Sequence, residues 1–464
     1  MPLGSILPKV GLALGGAAIA VGVLRRTFKP RPRYAPSERP PYGKFPNRVL
    51  IVGGGFAGYT TAKTLCQLTE DRDDVGVMVL SRENYFTFWP MVPGIVGSEV
   101  DIDNVAQPLR RPLIEMGASF RRADLQGVDF GRKVVMGDYG QEWPYDNLVL
   151  ALGSQPNYFG VPGVKEHCLA LAGLADALKI RNQIIERFEQ VTLLPGEIAD
   201  PRLTFVVIGG GSTGVETAAE IHALVHEALA PDFPNIDLDE VRVFVIEAGQ
   251  EILAELDPAL RRAARAELAA RGIKVITGRR ASAVTEDHVK LDNGQEIRAE
   301  NVVWTAGIRP NVKLEDLLGV PLTERDGVIV DERLRVQGRS AVWAIGDSAA
   351  IPQKGEGRIA PPTAQAAVQE GYVAARNILA TIDGKEGKLE EFEYRPLGQL
   401  VELGSRFAVN EVMGVRFSGL IAALFWRAVY LSKLESPQNR AQVAADWILG
   451  LLFRPAATQI RELA

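Results

Sequence analysis

Two glycine-rich turns constrain the fold of this chain more than any other feature of its sequence. Residues 53–58 (GGGFAG) follow the apolar run 49–52, and residues 209–214 (GGGSTG) follow the apolar run 205–208. Each turn fits the pattern G-x-G-x-x-G and leads into a helical pattern, which is the order that binds a dinucleotide pyrophosphate at a helix N-terminus. Two copies, 156 residues apart, predict an α/β fold with two Rossmann-like dinucleotide-binding domains.

The residue that ends the next strand distinguishes the two turns. After the second turn, the strand pattern 241–246 ends in Glu247. Its carboxylate can accept a hydrogen bond from a ribose 2′-OH and repels a 2′-phosphate, so we expect NADH rather than NADPH there. After the first turn, the strand pattern ends in Ser81, and whether Ser81 or Glu83 contacts the ribose of that nucleotide stays open.

Later segments fit a flavin domain that a nicotinamide domain interrupts. Two strand patterns end in short turns at Gly153 (Ala-Leu-Gly) and Gly307 (Thr-Ala-Gly), where we expect the chain to cross between domains. A third ends in Gly346-Asp347, which places a carboxylate where it can bind a polyol hydroxyl; an aspartate that only caps a turn is the alternative. The predicted domains are FAD-binding at 47–160 and 331–390, and NADH-binding at 161–330.

Charge is distributed unevenly along the chain. The net charge is −5, but residues 1–48 carry +8 and residues 415–464 carry +3, which leaves −16 on the body between them. A nucleic-acid-binding protein would have basic residues on a folded face, so this distribution argues against nucleic acid as a partner. Basic ends instead suit the headgroups of an anionic lipid bilayer.

The N-terminal 46 residues predict a membrane anchor and a linker. Residues 10–24 are uncharged, and basic residues follow from Arg25 onward, whereas a cleaved signal peptide has its basic residues first. A span needs about 20 residues, so spanning the bilayer and lying in its interface both stay open, with a poorly hydrophobic leader as the alternative. A spanning anchor would put the rest of the chain on the cytoplasmic face of the cell's inner membrane. Residues 31–46, rich in proline, predict an extended linker.

The region 391–464 predicts membrane association through two amphipathic helices, at 418–434 and 439–453. Arg427 and Asp446 interrupt these helices, and each apolar run is too short to span a bilayer comfortably. A helical hairpin packed against the body, or in a homodimer interface, is the alternative, and the oligomeric state stays open.

Cysteine and histidine give no sign of a metal or disulfide site. Cys66 and Cys168 are the two cysteines of the chain, and they are not in a C-x-x-C motif. His222 and His226 lack the catalytic glutamate of a zinc protease motif, so we expect an exposed pair on a helix and no bound metal.

The sequence resembles the type II NADH:quinone oxidoreductases, single-subunit flavoproteins with two dinucleotide-binding domains. The resemblance runs from about residue 47 to the C-terminus. It depends on both glycine turns, on Glu216 after the second turn, on Gly346-Asp347, and on residues 364–369 (AQAAVQ), which match the family's A-Q-x-x-x-Q quinone motif. Residues 84–90 and the pattern that begins at Trp426 are similar to family members as well.

The quinone motif also has a physical interpretation. Gln365 and Gln369 are four residues apart, so both amides lie on one face of the predicted helix, which Thr363 can cap. Neutral amides can donate hydrogen bonds to a quinone carbonyl without placing a charge in an apolar pocket. Two solvent-facing glutamines on an ordinary helix are the alternative.

The resemblance implies that the protein transfers the hydride of NADH to FAD and two electrons to a membrane quinone, without pumping protons. Glu216 is then expected to orient the nicotinamide, and Gln365 and Gln369 to face the quinone. The expected FAD contacts are Gly53, Gly55, Phe56, Ala57, Gly58, Ser81, Arg82, Gly153, Gly346, Asp347, Ala364 and Gln365. The expected NADH contacts are Gly209, Gly211, Ser212, Thr213, Gly214, Glu216, Glu247 and Gly307.

Two other functions stay open. A sulfide:quinone oxidoreductase shares this architecture but needs paired redox cysteines at the flavin, for which Cys66 and Cys168 are poor candidates. A redox sensor could keep both nucleotide turns and respond to NADH without turning over.

Overall fold

The computed structural model describes residues 40–193, 201–311, 319–354, 357–454 and 457–459. The chain divides into two units, 1–40 and 41–464. The predicted anchor at residues 10–24 lies outside the described residues, as does most of the predicted linker.

The first part of the chain, up to Pro156, builds a parallel sheet with the strand order β9-β1-β2-β5. Residues 49–52 of β1 and residues 75–80 of β2 are buried. Burial on both faces explains why their sequences are continuous apolar runs. The elements are β1 (Asn47–Val52), α1 (Phe56–Leu68), β2 (Val75–Ser81), β3 (Tyr85–Thr87), α2 (Val92–Val96), α3 (Ile102–Val105), β4 (Ala106–Pro108), α4 (Arg110–Glu115), β5 (Ser119–Arg122), β6 (Leu125–Asp129), β7 (Val134–Gly137), β8 (Glu142–Pro144), β9 (Asn147–Leu150) and β10 (Ser154–Pro156).

The next part builds a second parallel sheet, ordered β11-β18-β12-β13-β14, and a small antiparallel sheet, β15-β16-β17. Its elements are α5 (Val164–His167), β11 (Leu169–Ala170), α6 (Leu174–Leu193), β12 (Thr204–Ile208), α7 (Ser212–Ala223), β13 (Arg242–Glu247), α8 (Pro258–Ala270), β14 (Lys274–Thr277), β15 (Ala281–Val284), β16 (His288–Leu291), β17 (Glu296–Arg298), β18 (Asn301–Trp304) and β19 (Ile308–Pro310).

The chain then returns to the first sheet. After β20 (Val328–Ile329), strand β21 (Val342–Ala344) pairs with β9, and β22 (Ala349–Ala350) and α9 (Ala364–Ile382) follow. Helix α9 packs closely on α1, since a Cβ at Gly371 would lie 2.8 Å from the carbonyl oxygen of Ala57. The predicted α/β fold, with one Rossmann-like unit interrupting the other, is confirmed; the exact domain boundaries stay predictions.

The two segments that cross between the Rossmann-like domains lie side by side. Strand β10, after Gly153, pairs with β19, after Gly307. Each crossing directly follows one of the two glycine turns, at Gly153 and at Gly307, where the sequence predicts it.

The C-terminal region is a three-stranded antiparallel sheet followed by two helices. Its elements are β23 (Gly398–Glu402), β24 (Ala408–Val412), β25 (Val415–Gly419), α10 (Leu420–Lys433) and α11 (Pro437–Leu452). Ser436 caps α11 by accepting a hydrogen bond from the Asn439 N–H, so this helix begins two residues earlier than the sequence suggests.

Two expectations are wrong in detail. The end of the predicted linker is folded: Tyr42 begins a short 3₁₀ turn, is 5% exposed and donates a hydrogen bond to the Pro144 carbonyl. Histidines 222 and 226 are not an exposed pair but are half-buried and stacked, with ring centroids 4.1 Å apart.

The two charged residues that interrupt the C-terminal helices face the body of the protein. Arg427 is 9% exposed, and Asp446 accepts a 2.6 Å hydrogen bond from Asn104.

Candidate active site

The first glycine turn leaves one open position over the start of α1. A Cβ at Gly53, where φ is +112°, would overlap the Ala151 carbonyl oxygen, and a Cβ at Gly58 would overlap that of Gly53. Gly55 is different, because nothing lies within 4 Å of its Cβ position. Two glycines therefore close the turn, and the third leaves space where a pyrophosphate can approach the helix N-terminus.

The second turn repeats this geometry at the start of α7. Gly209 has φ of +122° and lies against Thr305, and a Cβ at Gly214 would overlap the Gly209 carbonyl oxygen. Nothing lies within 4 Å of the Cβ position of Gly211. The residues present therefore fit a dinucleotide at each of the two turns. Ser212 and Thr213 begin α7 here, as Phe56 and Ala57 begin α1 at the first turn.

Glu247 lies beside the second turn, as predicted. One of its carboxylate oxygens accepts a hydrogen bond from the Gly210 N–H and the other from the Gly249 N–H, both at 2.6 Å. These bonds fix the carboxylate at the end of β13, beside the second glycine turn.

Ser81 occupies the corresponding position at the first turn. Its hydroxyl lies 3.0 Å from the Cβ position of Gly54. The Glu83 side chain is instead half-exposed and forms an ion pair with Arg82 at 3.3 Å. The geometry therefore places Ser81, rather than Glu83, nearest to the first turn.

The Gly346–Asp347 turn lies against the first glycine turn. A Cβ at Gly346, where φ is +70°, would lie 3.2 Å from the Cβ of Ala57. Asp347 accepts a 2.7 Å hydrogen bond from Ser154, the residue after Gly153, and burial raises its pKa. The structure thus brings the predicted flavin residues of β1, β9 and β21 to one edge of the first sheet.

Glu370, which the sequence did not single out, supports that turn. It is 2% exposed, and it accepts a 2.5 Å hydrogen bond from the Gly346 N–H. Burial raises the pKa of Glu370 to about 7. The sequence signal that could have identified Glu370 was its position directly after Gln369, on the inner face of α9.

Gln365 and Gln369 do share one face of α9, which Thr363 caps, but both amides bind backbone. Gln365 donates to the Gly398 carbonyl at 2.7 Å and accepts from the Leu397 N–H at 3.1 Å. Gln369 donates to the Arg395 carbonyl at 2.9 Å and accepts from its N–H at 3.1 Å. The glutamines thus hold the segment 395–398 against α9, and each keeps a second amide N–H.

Glu216 lies in a buried acidic cluster at the inner side of α7. Its carboxylate accepts a 3.1 Å hydrogen bond from the Glu402 N–H, and burial raises its pKa to about 8. Sequence reasoning missed the other members, which are Glu99, Glu220 and Glu402, together with the role of Arg427. An arginine in an otherwise apolar helix was the one signal in the sequence.

Both C-terminal helices expose large apolar side chains. These residues, which we call the exposed apolar surface, are Leu420, Ile421, Leu424, Phe425, Ile448, Leu449, Leu452 and Phe453. Within the described part of the chain, no helix has the length and hydropathy needed to cross a bilayer.

The cysteines do not form a redox pair. No disulfide joins them; Cys66 is buried on α1, whereas Cys168 lies between α5 and β11. Burial raises the pKa of Cys168 to about 12, which disfavours its thiolate form.

Comparisons with known proteins agree with this geometry. The family model described as pyridine nucleotide-disulphide oxidoreductase matches residues 47–371, and that of the NDH2 C-terminal domain matches residues 397–454. A probable NADH dehydrogenase of Dictyostelium discoideum is 31% identical, over 88% of this chain and 90% of the relative. The type II NADH:quinone oxidoreductase Ndh of Mycobacterium tuberculosis is 29% identical, over 91% of each chain.

Among solved structures, NDH2 from Plasmodium falciparum in complex with NADH has the same fold. Its TM-score is 0.82 at 20% identity, and the match covers 89% of this chain and all of that one. This chain belongs to the pyridine nucleotide-disulphide oxidoreductase family and, within it, to the type II NADH:quinone oxidoreductases.

Proposed function

We propose that this protein is an FAD-dependent NADH:quinone reductase that takes the hydride of NADH and passes two electrons to a membrane quinone, without pumping protons. One observation carries the proposal: each of the two Rossmann-like units has an open glycine, Gly55 or Gly211, over a helix N-terminus. A chain with two such cradles can hold a resident dinucleotide and a dinucleotide substrate at once.

FAD, when bound, supplies the chemistry, because its ring system can accept a hydride and release electrons to a quinone. The chain supplies binding and orientation. The open backbone at Gly55 and the N-terminus of α1 bind the pyrophosphate, and Asp347, held by Ser154, accepts hydrogen bonds from the sugar-alcohol chain. We assign further contacts to Phe56, Ala57, Ser81, Arg82, Gly153, Gly346 and Ala364.

NADH binds at the second turn through Gly209, Gly211, Ser212, Thr213 and Gly214. Glu247 selects NADH, since its fixed carboxylate accepts from a ribose hydroxyl and repels a 2′-phosphate. Glu216 lies one turn into α7 and orients the nicotinamide. With its pKa near 8, Glu216 is protonated at neutral pH and can donate to the carboxamide oxygen.

The quinone site lies at the N-terminus of α9. Gln365 and Gln369 each keep one amide N–H for a quinone carbonyl, while the other amide atoms hold segment 395–398 in place. This bracing gives the glutamines fixed orientations, which lowers the entropy cost of binding the quinone.

The exposed apolar surface of α10 and α11 is the site of membrane contact. Helices of this kind lie in the plane of the bilayer interface, and the basic residues Lys433, Arg440 and Arg454 suit anionic headgroups. We place the protein as a peripheral enzyme on the cytoplasmic face of the inner membrane.

The test separates the two half-reactions under anaerobic conditions. NADH should reduce the flavin of the wild-type protein in a stopped-flow experiment, a short-chain quinone should reoxidise it, and the cycle should turn over many times. Flavin that NADH reduces but that quinone does not reoxidise would contradict the proposal and favour a redox sensor.

Gln369→Ala locates the quinone site. Loss of one hydrogen bond of ~1 kcal/mol in the transition state slows reoxidation by roughly 5- to 10-fold, whereas reduction by NADH should stay unchanged. Gln353→Ala is the matched control, because Gln353 accepts a 2.9 Å hydrogen bond from the neighbouring Tyr394 N–H but lies outside the quinone motif. Equal losses in the two variants would mean that Gln369 acts only by holding the segment.

A further inference from the structure

Four glutamates converge where three parts of the chain meet. Glu99 follows α2, Glu216 and Glu220 are one turn apart on α7, and Glu402 ends β23. Glu220 and Glu402 are 5% and 6% exposed. Glu220 packs so closely on Gly97 that any side chain there would overlap its carboxylate.

Within the described part of the chain, one cation lies at ion-pair distance from these glutamates. Arg427, on α10, forms a short ion pair with Glu99, and its guanidinium lies 3.5 Å from Glu402. The other charged or titratable groups that face the cluster are Glu227 and Arg271, which act electrostatically on Glu220, and Tyr430, which lies near Glu216 and Glu402. Arg271 is itself paired with Glu267 at 2.8 Å.

Charge balance then requires that the cluster hold protons. A buried carboxylate without a partner cation is very unfavourable, and Arg427 can balance one of them, which is Glu99. Burial, together with the negative charge of Glu99, raises the pKa of both Glu220 and Glu402 well above the ordinary glutamate value. Burial and mutual repulsion therefore favour the neutral acid form of both side chains over the carboxylate.

The cluster also faces unpartnered donors. Glu99, Glu220 and Glu402 line a small cavity with Trp426 and Trp447, which come from the two C-terminal helices. The two indoles are 4% and 8% exposed, and neither N–H has a hydrogen-bond partner among the described residues. One oxygen of Glu402 also makes no hydrogen bond within that part of the chain. Buried polar atoms without a hydrogen-bond partner indicate a site for a small hydrogen-bonding molecule such as water.

We propose that Glu220 and Glu402, arranged around the Arg427–Glu99 pair, are a buried proton store that supplies a proton for the reduction of quinone. The inference rests on the proposed function. The hydride of NADH supplies two electrons and one hydrogen, so one further proton must come from water to complete the quinol. A carboxyl O–H breaks as a quinol O–H forms, and the carboxylate left behind takes a proton from solvent.

The connection toward the membrane side is on α10. Tyr430 follows Trp426 by one turn, with ring centroids 4.6 Å apart, and its ring also packs edge-on against Phe88 at 6.0 Å. Its hydroxyl belongs to the same electrostatic neighbourhood as Glu216 and Glu402. The store thus lies directly beneath the helices that carry the exposed apolar surface, which the proposed function assigns to membrane contact.

Glutamine substitutions test the store with little disturbance of packing, because glutamine mimics a neutral carboxylic acid in size and polarity. We would compare Glu220→Gln and Glu402→Gln with Glu390→Gln, a control in which the glutamate is paired with Arg376 on the surface at 2.7 Å. Flavin content and the rate of flavin reduction by NADH report that each variant is folded.

Each store variant should lose an infrared band of a protonated carboxylic acid that the wild type shows at neutral pH. Reoxidation by quinone should slow at least tenfold and become dependent on proton concentration, whereas the wild-type rate stays level over that pH range. Added formate, a small proton carrier, should restore part of the rate. A merely structural role would produce neither the altered pH profile nor the rescue.

The outcomes separate the two proposals. If both variants keep the reoxidation rate, the pH profile and the infrared band of the wild type, the proton store is overturned and the proposed function still stands. A wild-type protein that reduces no quinone would overturn the proposed function and the store with it.

Discussion

The backbone N–H of Gly346 donates a 2.5 Å hydrogen bond to the carboxylate of Glu370 and so ties helix α9 to the turn that presents Asp347. Gly346 has φ of +70°, a conformation that side chains rarely adopt, and Glu370 is 2% exposed. This bond therefore fixes the turn from inside the protein. The helix that carries the quinone motif and the turn assigned to the flavin are held as one element.

Removing the acceptor should loosen the flavin site. In Glu370→Ala the buried N–H of Gly346 loses its partner, which costs about 1–3 kcal/mol. We expect faster loss of FAD on dilution, measured by the rise in free-flavin fluorescence, and a lower free energy of unfolding in urea.

The conservative change provides the control. Glu370→Gln keeps a carbonyl oxygen for the Gly346 N–H, so it should retain flavin nearly as well as the wild type. Equal flavin loss in the two variants would show that the hydrogen bond to Gly346 is not what matters at this position.

Burial of Glu216 should make the protein less stable as the pH rises. Its pKa is about 8 in the folded protein against an ordinary glutamate value of 4.5, so the folded state keeps a proton that the unfolded state has released. The stabilisation is complete below pH 4.5 and is lost as the pH rises through 8, by about 1.4 kcal/mol per pH unit for one proton.

Glu216→Gln isolates this contribution, because glutamine does not titrate. Urea unfolding at pH 5.5, 6.5 and 7.5 should show the wild type losing stability relative to the variant with each step. A constant difference between the two proteins across these pH values would mean that Glu216 is ionised in the folded state.

Glu247→Ser should shift nucleotide preference. The substitution removes the acceptor for a ribose hydroxyl, so kcat/KM for NADH should fall about tenfold, which corresponds to the loss of one charged hydrogen bond of ~1.5 kcal/mol. It also removes the negative charge that repels a 2′-phosphate, so kcat/KM for NADPH should rise. Glu251→Gln, at an exposed ion pair with Arg265, is the control for charge in this region. An unchanged ratio of kcat/KM for the two nucleotides would exclude Glu247 from the ribose site.

The sequence was sufficient where a local conformation dictates the residue. Gly53 and Gly58 were identifiable because no other residue fits the space they occupy, and Glu247 because it ends a recognisable strand. The helical periodicity also correctly placed Gln365 and Gln369 on one face. Their partners, residues 395–398, could not be foreseen because they lie in an irregular segment about 30 positions further along the chain.

The acidic cluster could not be predicted because its chemistry exists only after folding. Glu99 and Arg427 are 328 residues apart, and in the sequence a lone glutamate is typical of a solvated surface. The same holds for the inward orientation of Trp426 and Arg427, which helical periodicity left undecided. The sequence does not show which face of the helix packs against the body of the protein. Tertiary packing alone determines that orientation.

The exposed apolar surface should carry membrane binding. Ile421 and Leu424 are 76% and 57% exposed on α10, so replacing both with serine removes no core packing. Each side chain contributes roughly 1.5–3 kcal/mol when it leaves water completely, and we expect at least a tenfold loss of binding to anionic vesicles in a sedimentation assay. The unfolding midpoint should stay the same.

Leu193→Ser is the matched control, because Leu193 is 77% exposed at the end of α6 and is not part of the C-terminal helices. It should bind vesicles as the wild type does. Raising the salt concentration should weaken the electrostatic attraction of the wild type and of the double variant Ile421→Ser/Leu424→Ser to the bilayer, but it should leave the apolar contribution unchanged. The difference in vesicle binding between these two proteins should therefore persist at high salt. If the double variant sediments with vesicles as well as the wild type does, α10 does not contact the membrane, and its apolar side chains instead cover another protein surface.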